Sequence, residues 1–463
     1  MSRLNDFKKG LILKLVTSYI RGKRKNQKWV PGVDWVQYSG PYFDSQEFKN
    51  GVDTLLDEWF ILGAKGREFE RKFSKLLGKT DGVLVNSGSS ANLLMSTVLR
   101  TKRGGRLPKG SKFITPVVCF PTTINPLIQN GFEPIFVDVE LPNLNLNLDQ
   151  VEALLKKDKK KTIKGITFAH VLGNPPDMDR LMGLVEKYDL IFLEDTCDAL
   201  GSTWDGKPLG SFGKISTCSF FPAHHMTMGE GGFVAVNEPI LRMALASLRD
   251  WGRACYCNSN KPGNVINGTA CGSRIAPWFR KQRDIEYDHR YVFDEIGYNL
   301  KPTEMQAAMG LAQLPKLEEM HAKRKVNFNK LYNTFKKYEE YVYLPEMHEK
   351  ADTSWFGYLV TLKDDVPFKK TEMINFFEEA KIQTRSYFTG NALFHPAYEE
   401  IAKNYKDPRN EFPIATKSTK DTFFLGVYPG LTDEQVEYMC NTIDNFFSQT
   451  KFNKNIVDIT QIY

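Results

Sequence analysis

Three stretches of the chain hold side chains that could do chemistry together. In Asn86-Ser87-Gly88-Ser89-Ser90-Ala91-Asn92 a glycine sits among serines at the head of a helix-forming run. Where a strand ends and a helix begins, such a run offers free N–H groups, a positive helix end and hydroxyl donors, which suit a phosphate. The same residues also make good helix caps. In Phe192-Leu193-Glu194-Asp195-Thr196-Cys197-Asp198 carboxylates close an apolar run, and ligands of α/β sheets gather at the carboxyl ends of strands. The third stretch, SFFPAHHMTMGEGG from Ser219 to Gly232, sets His224 and His225 between an apolar run and a glycine-rich turn. An imidazole, titrating near ~6.5, is a capable proton shuttle at neutral pH.

These residues need a scaffold, and the flanking pattern predicts one. From about residue 80, short β-rich runs alternate with helical ones. Strands are predicted at Gly82–Val85, Phe113–Val118, Pro134–Val139, Gly165–His170, Leu190–Glu194, Ile215–Phe221 and Gly232–Val236, with helices such as Ser90–Leu99, Leu148–Lys157 and Met178–Tyr188 between them. That alternation reads as parallel α/β with right-handed crossovers. Residues 251–300 form a Gly-, Asn- and Cys-bearing excursion, too long for an ordinary connection. A helix from about Thr303, a longer charged one near Pro315–Lys337, strand Phe356–Leu362, helix Lys370–Ala380 and helix Asp433–Phe447 complete the pattern. The expected division is a basic leader over 1–34, a large domain over 35–310 that includes the excursion, and a connecting helix with a small C-terminal domain over 311–463.

Charge narrows the function classes. The 463 residues carry a net charge of +7, but residues 1–30 hold nine basic side chains and one acid, so the remainder is close to neutral. A protein-wide basic surface for nucleic acid is not indicated. The apolar run Leu11–Ile20 is interrupted by Lys14 and lacks a small-residue cleavage pattern, so it does not read as a signal peptide. An amphipathic helix on an acidic membrane surface and an exposed basic leader both remain open for it. No stretch reaches 18 consecutive apolar residues, so no transmembrane span is expected and the default location is the cytoplasm. No G-x-G-x-x-G follows a predicted strand, which argues against NADH binding by this chain.

Taken in order, SGSSAN, EDTCDALGS, SFFPAHHMTMGEGG and GYNLKPTEMQAA (Gly297–Ala308) resemble the DegT/DnrJ/EryC1/StrS family of sugar-nucleotide aminotransferases over roughly residues 35–450. The resemblance implies an α/β fold of the type I, aspartate-aminotransferase-like class. Such a fold has a large domain with a mixed, mostly parallel sheet, a smaller C-terminal α/β domain and a homodimeric assembly. It places pyridoxal or pyridoxamine phosphate at the sheet's C-terminal edge. By the same resemblance Gly88, Ser89, Ser90 and Ser219 would surround the phosphate, Phe120 would stack on the pyridine ring and Asp195 would face the ring nitrogen. Asp198 would lie near the phenolic oxygen, and Asn299 would reach the phosphate from a neighbouring subunit. His224 stands where the family's aminotransferases carry the Schiff-base lysine. That change marks the family's sugar 3-dehydratase branch. It implies pyridoxamine phosphate held without a covalent link, His224 as the base, and loss of the C3 hydroxyl from a nucleotide-linked 4-keto-6-deoxyhexose. Ile382–Asn391 resembles the family's sugar-nucleotide contact segment, with Arg385 as diphosphate partner.

The branch contains cluster-free enzymes and enzymes with a [2Fe–2S] cluster. Cys197, Cys255, Cys257 and Cys271, spaced C-x57-C-x-C-x13-C, resemble the iron–sulfur kind, though the loop before Cys271 is longer than usual there. A four-thiolate zinc site and four unrelated thiols are the alternatives. Cys119, Cys218 and Cys440 read as core thiols. The iron–sulfur reading implies a CDP-sugar, a role in 3,6-dideoxyhexose and surface-polysaccharide synthesis, and an NADH-dependent flavin and iron–sulfur reductase as partner. Two further readings remain: a cluster-free 3-dehydratase acting on a GDP-sugar, and a catalytically silent sugar-nucleotide-binding protein.

Overall fold

A computed structural model describes residues 3–25, 28–254 and 274–449 of the chain. Helix α1 (Arg3–Lys25) lies against α2 (Ser45–Leu56), which Asp44 opens with a capping box to Glu47. A seven-stranded sheet follows, built from β1 (Asp81–Val85), β2 (Lys112–Pro116), β3 (Glu133–Val137), β4 (Ile163–Ala169), β5 (Ile191–Asp195), β6 (Ile215–Ser219) and β7 (Gly232–Val236), in the order β1-β7-β6-β5-β4-β2-β3.

The alternating side chains of these strands build two layers of core. Val83 and Val85 of β1 pack with Leu94 and Met95 of the helix Gly88–Val98, while Leu84 between them joins Phe69 and Phe73 of the helix Ala64–Leu76 on the opposite face. In β7, Val234 and Val236 go one way, and Phe233 and Ala235 the other.

β6, β5, β4, β2 and β3 pair in parallel, as the alternation predicts. β7 runs antiparallel to both β6 and β1, so the sheet is mixed and mostly parallel, as the family resemblance implies. The segment Phe220–Gly231 contains no crossover helix, so the chain can only turn back beside β6. One result is that Gly232 pairs with both Val85 and Ser219. The start of β7 therefore shares an edge with the ends of β1, β6 and β5.

A second sheet is antiparallel throughout: β8 (Val342–Tyr343), β9 (Gly357–Leu362), β10 (Thr384–Ser386) and β11 (Thr422–Gly426), in the order β8-β9-β11-β10. Phe328, Leu331 and Phe335 of the helix Leu317–Phe335 share its core with Val436, Met439 and Ile443 of the helix Asp433–Gln449. Within the expected excursion, Ile275–Ala276 pairs with Tyr287–Asp288. Cys255, Cys257 and Cys271 lie outside the described residues.

Candidate active site

The sheet edge gathers most of the residues singled out in the sequence. Ser87 caps the helix Gly88–Val98: its Oγ accepts from the Ser90 N–H at 3.1 Å and donates to Ser90 Oγ at 3.0 Å. The N–H groups of Gly88 and Ser89, first in the helix, have no intrahelical acceptor. A Cβ on Gly88 would stand 2.4 Å from Ser219 Cβ, and one on Gly232 would stand 2.2 Å from the Ser87 carbonyl oxygen. Only glycine lets these three backbones close into one cradle. Ser219 ends β6 inside it, with its Oγ accepting from the Phe221 N–H at 3.4 Å. Asn86 bonds through its N–H to the Leu300 carbonyl, while its buried Oδ1 is without a partner among the described residues.

Asp195 closes β5 and is 3% exposed. Its Oδ2 accepts from Asn92 Nδ2 at 2.7 Å and Thr123 Oγ1 at 3.0 Å, and its Oδ1 from the Cys197 N–H at 3.0 Å. Thr217 Oγ1 donates in turn to Asn92 Oδ1 at 2.6 Å. The carboxylate is thus oriented by neutral donors, and no Lys, Arg or His pairs with it among the described residues. The sequence reading missed Asn92, Thr123 and Thr217 as supports. Asn92 lay within the serine-rich run, but nothing local marked the other two.

Phe120 precedes the helix Pro121–Gln129; the residue is 50% exposed, and its ring stands edge-on to Phe388 at 5.8 Å. A large aromatic face left open beside a phosphate cradle suits a stacked ring. An exposed aromatic, a buried carboxylate without a cation and an N-terminal cradle with an orphaned Asn86 oxygen fit a pyridine ring carrying a phosphate.

His224 sits on the turn after β6. Its Nδ1 lies 3.4 Å from Asp198 Oδ1, and its ring leans on Phe356 at 5.5 Å. Burial holds the Asp198 carboxyl above its ordinary range, with His224 pulling the other way. Arg324, buried in the helix Leu317–Phe335, donates to the carbonyls of His224 (3.2 Å), Trp355 (3.2 Å) and Phe356 (3.3 Å). Burial pushes its guanidinium down to about 9 against the opposing pull of Asp198. Sequence reasoning missed this residue, because an arginine in a charged helix looks like a solvated one.

His225 points away from the site. Its Nε2 meets the Ser354 carbonyl at 2.7 Å, and His321 Nδ1 meets Ser354 Oγ at 2.7 Å. Cys197 adjoins Asp195, and burial pushes its thiol well above the ordinary value. Asn299 is exposed and pairs with Asp250. Arg385 is exposed on β10, its guanidinium 4.0 Å above the Tyr38 ring. Cys119 and Cys218 are buried, as the core reading expects, whereas Cys440 is only partly so.

The model of the DegT/DnrJ/EryC1/StrS aminotransferase family matches residues 41–444. The lipopolysaccharide biosynthesis protein RfbH of Salmonella typhimurium is 39% identical over 94% of this chain and 97% of its own length. The dTDP-4-dehydro-2,6-dideoxy-D-glucose 3-dehydratase of Saccharopolyspora spinosa is 37% identical over 96% and 93%. Among solved structures, E. coli GDP-4-keto-6-deoxy-D-mannose-3-dehydratase with bound hydrated PLP superposes with a TM-score of 0.74 at 27% identity, over 89% of this chain and 99% of that one. With the family match spanning nearly the whole chain and the sheet edge built as described, this chain belongs to the DegT/DnrJ/EryC1/StrS aminotransferase family.

Proposed function

We propose that the chain is a pyridoxamine-phosphate-dependent sugar-nucleotide 3-dehydratase in which His224 moves the proton. The observation that carries this reading is the pairing of His224 with buried Asp198 at the cradle's edge, where the family's aminotransferases hold a lysine. Similarity to two sugar 3-dehydratases supports it.

Bound pyridoxamine phosphate supplies a primary amine for the substrate ketone and a ring that accepts electrons. Gly88, Ser89, Ser90 and Ser219 hold its phosphate, with Asn299 of a second subunit as a further donor. Phe120 covers one ring face. Asp195 keeps a proton on the ring nitrogen, since a buried carboxylate favours a cationic neighbour. Asp198 orients His224 through Nδ1, leaving Nε2 to accept a proton at the cofactor's C4′ carbon and return it. Arg385 binds the substrate diphosphate.

We further propose that Cys197, Cys255, Cys257 and Cys271 hold a [2Fe–2S] cluster, on the strength of their spacing. Such a cluster supplies one-electron relay, and the partner that follows is an NADH-dependent flavin and iron–sulfur reductase. The second reading, a cluster-free dehydratase, draws on the similarity to the GDP-4-keto-6-deoxy-D-mannose 3-dehydratases. Anaerobic purification with iron and sulfide analysis separates the two. Iron-bearing protein that turns over a CDP-4-keto-6-deoxyhexose only with a reductase supports the cluster reading. Colourless, iron-free protein active with glutamate and a GDP-sugar supports the other. Covalent pyridoxyl-lysine after borohydride would overturn both.

A further inference from the structure

Helix α1 takes no part in the site, yet it concentrates the charge of the molecule. It holds eight basic side chains and one acidic one, an excess equal to the +7 of the entire chain. None of its residues is buried.

Its sides differ. Lys9 faces α2 and is paired with Asp53 at 2.7 Å and Asp57 at 2.5 Å. Arg24 donates to the Phe43 carbonyl. Leu13, Val16 and Ile20 are partly covered. On the outer side Leu4, Phe7, Leu11 and Leu15 recur at spacings of three and four, forming one helical stripe. They stand open to solvent, Phe7 at 70% and Leu15 at 61% exposure.

Beside the stripe runs a groove of about 670 Å³ between α1 and Lys49 of α2, lined by Lys14, Thr17, Ser18 and Arg21. None of its three cations pairs with a carboxylate among the described residues. The cation turned toward the protein is neutralised, whereas those next to the stripe are not.

We propose that α1 lies in the plane of an anionic lipid membrane, with the leucine and phenylalanine stripe among the upper acyl chains and a headgroup phosphate in the groove at Lys14, Arg21 and Lys49. Charge decides the occupant. A second copy would bring an equally basic helix to the same face and repel it, whereas an acidic leaflet attracts clustered Lys and Arg. A helix with an apolar stripe edged by cations binds such a surface without crossing it. No helix among the described residues is long and apolar enough to cross.

The test is flotation of the full-length protein with vesicles of phosphatidylcholine alone, or with about a third phosphatidylglycerol. Binding to the anionic vesicles only, weakened on raising salt from about 0.1 to 0.5 M, is expected. K14E/R21E should bind at least about tenfold more weakly. L11S/L15S should lose binding while its mass by sedimentation equilibrium stays that of the parent. Absence of flotation with anionic vesicles would overturn the proposal, as would unchanged flotation of K14E/R21E. A fall in assembly mass for L11S/L15S would do the same, by assigning the stripe to a second copy.

Discussion

Arg324 donates from Nη2 to the carbonyl oxygen of His224 at 3.2 Å, reaching the turn after β6 from a helix that packs on the other sheet. The same guanidinium holds the carbonyls of Trp355 and Phe356, and Phe356 is the ring on which His224 leans. Arg324 therefore fixes both the backbone and the wall of the imidazole. On the proposed function it is a positioning residue. Arg324→Met should lower turnover by about 10²-fold through misplacement of His224. It should also cost about 2–4 kcal/mol in urea unfolding, because three buried carbonyls lose a charged donor. Lys at this position should restore part of the stability and little of the turnover, since it lacks the planar fork.

His224→Asn keeps size and polarity but removes the proposed base. Exchange of the C4′ proton, followed by deuterium incorporation, should slow by about 10²–10⁴-fold. Cofactor affinity, read by absorbance titration, should stay within a few-fold of the parent.

Gly88→Ala tests the cradle. The added Cβ would stand 2.4 Å from Ser219 Cβ, and relieving that overlap costs about 1–3 kcal/mol. Cofactor binding should weaken by about tenfold or more. Gly183→Ala, on an open helix face with nothing within 4 Å, should leave it unchanged.

Acid should loosen the contact between the two sheets at Ser354. Burial lowers His321 to about 4 and His225 well below its ordinary value. Both are neutral in the fold and become charged in the unfolded chain below ~6.5. The unfolded state thus binds more protons, so stability is full above pH ~6.5 and falls as pH drops toward 4. The loss at His321 alone is roughly 3 kcal/mol. Urea midpoints measured from pH 7.5 downward should show this, and the slope should shrink in His321→Asn.

If the four cysteines hold a cluster, Cys197→Ser and Cys271→Ser should each reduce iron from about two per chain to near zero. Cys440→Ser should leave it unaltered. Equal iron in Cys271→Ser and the parent would remove that residue from the set.

The strands were legible as short β-rich runs alternating with helical ones, and Asp195 stood out as a charge at the end of the run Ile191–Asp195. Strand direction was not legible. Gly232–Val236 has the composition of a buried parallel strand, and only the lack of a crossover helix in Phe220–Gly231 reverses it. The helix Pro121–Gln129 was missed because Pro126 lies inside it, so Phe120 could be placed by resemblance but Thr123 could not. Arg324 reaches His224 across 100 residues and Thr217 reaches Asn92 across 125, which no local pattern reports.

The reversal of β7 has a chemical consequence. His224 rides on a connection whose two ends are pinned at the same edge, through Ser219 and Gly232, and Arg324 ties its middle to the helix of the second sheet. If His224 is the base, a substitution there would change the chemistry while the glycine-closed cradle, the Asp195 support and the core stay as they are.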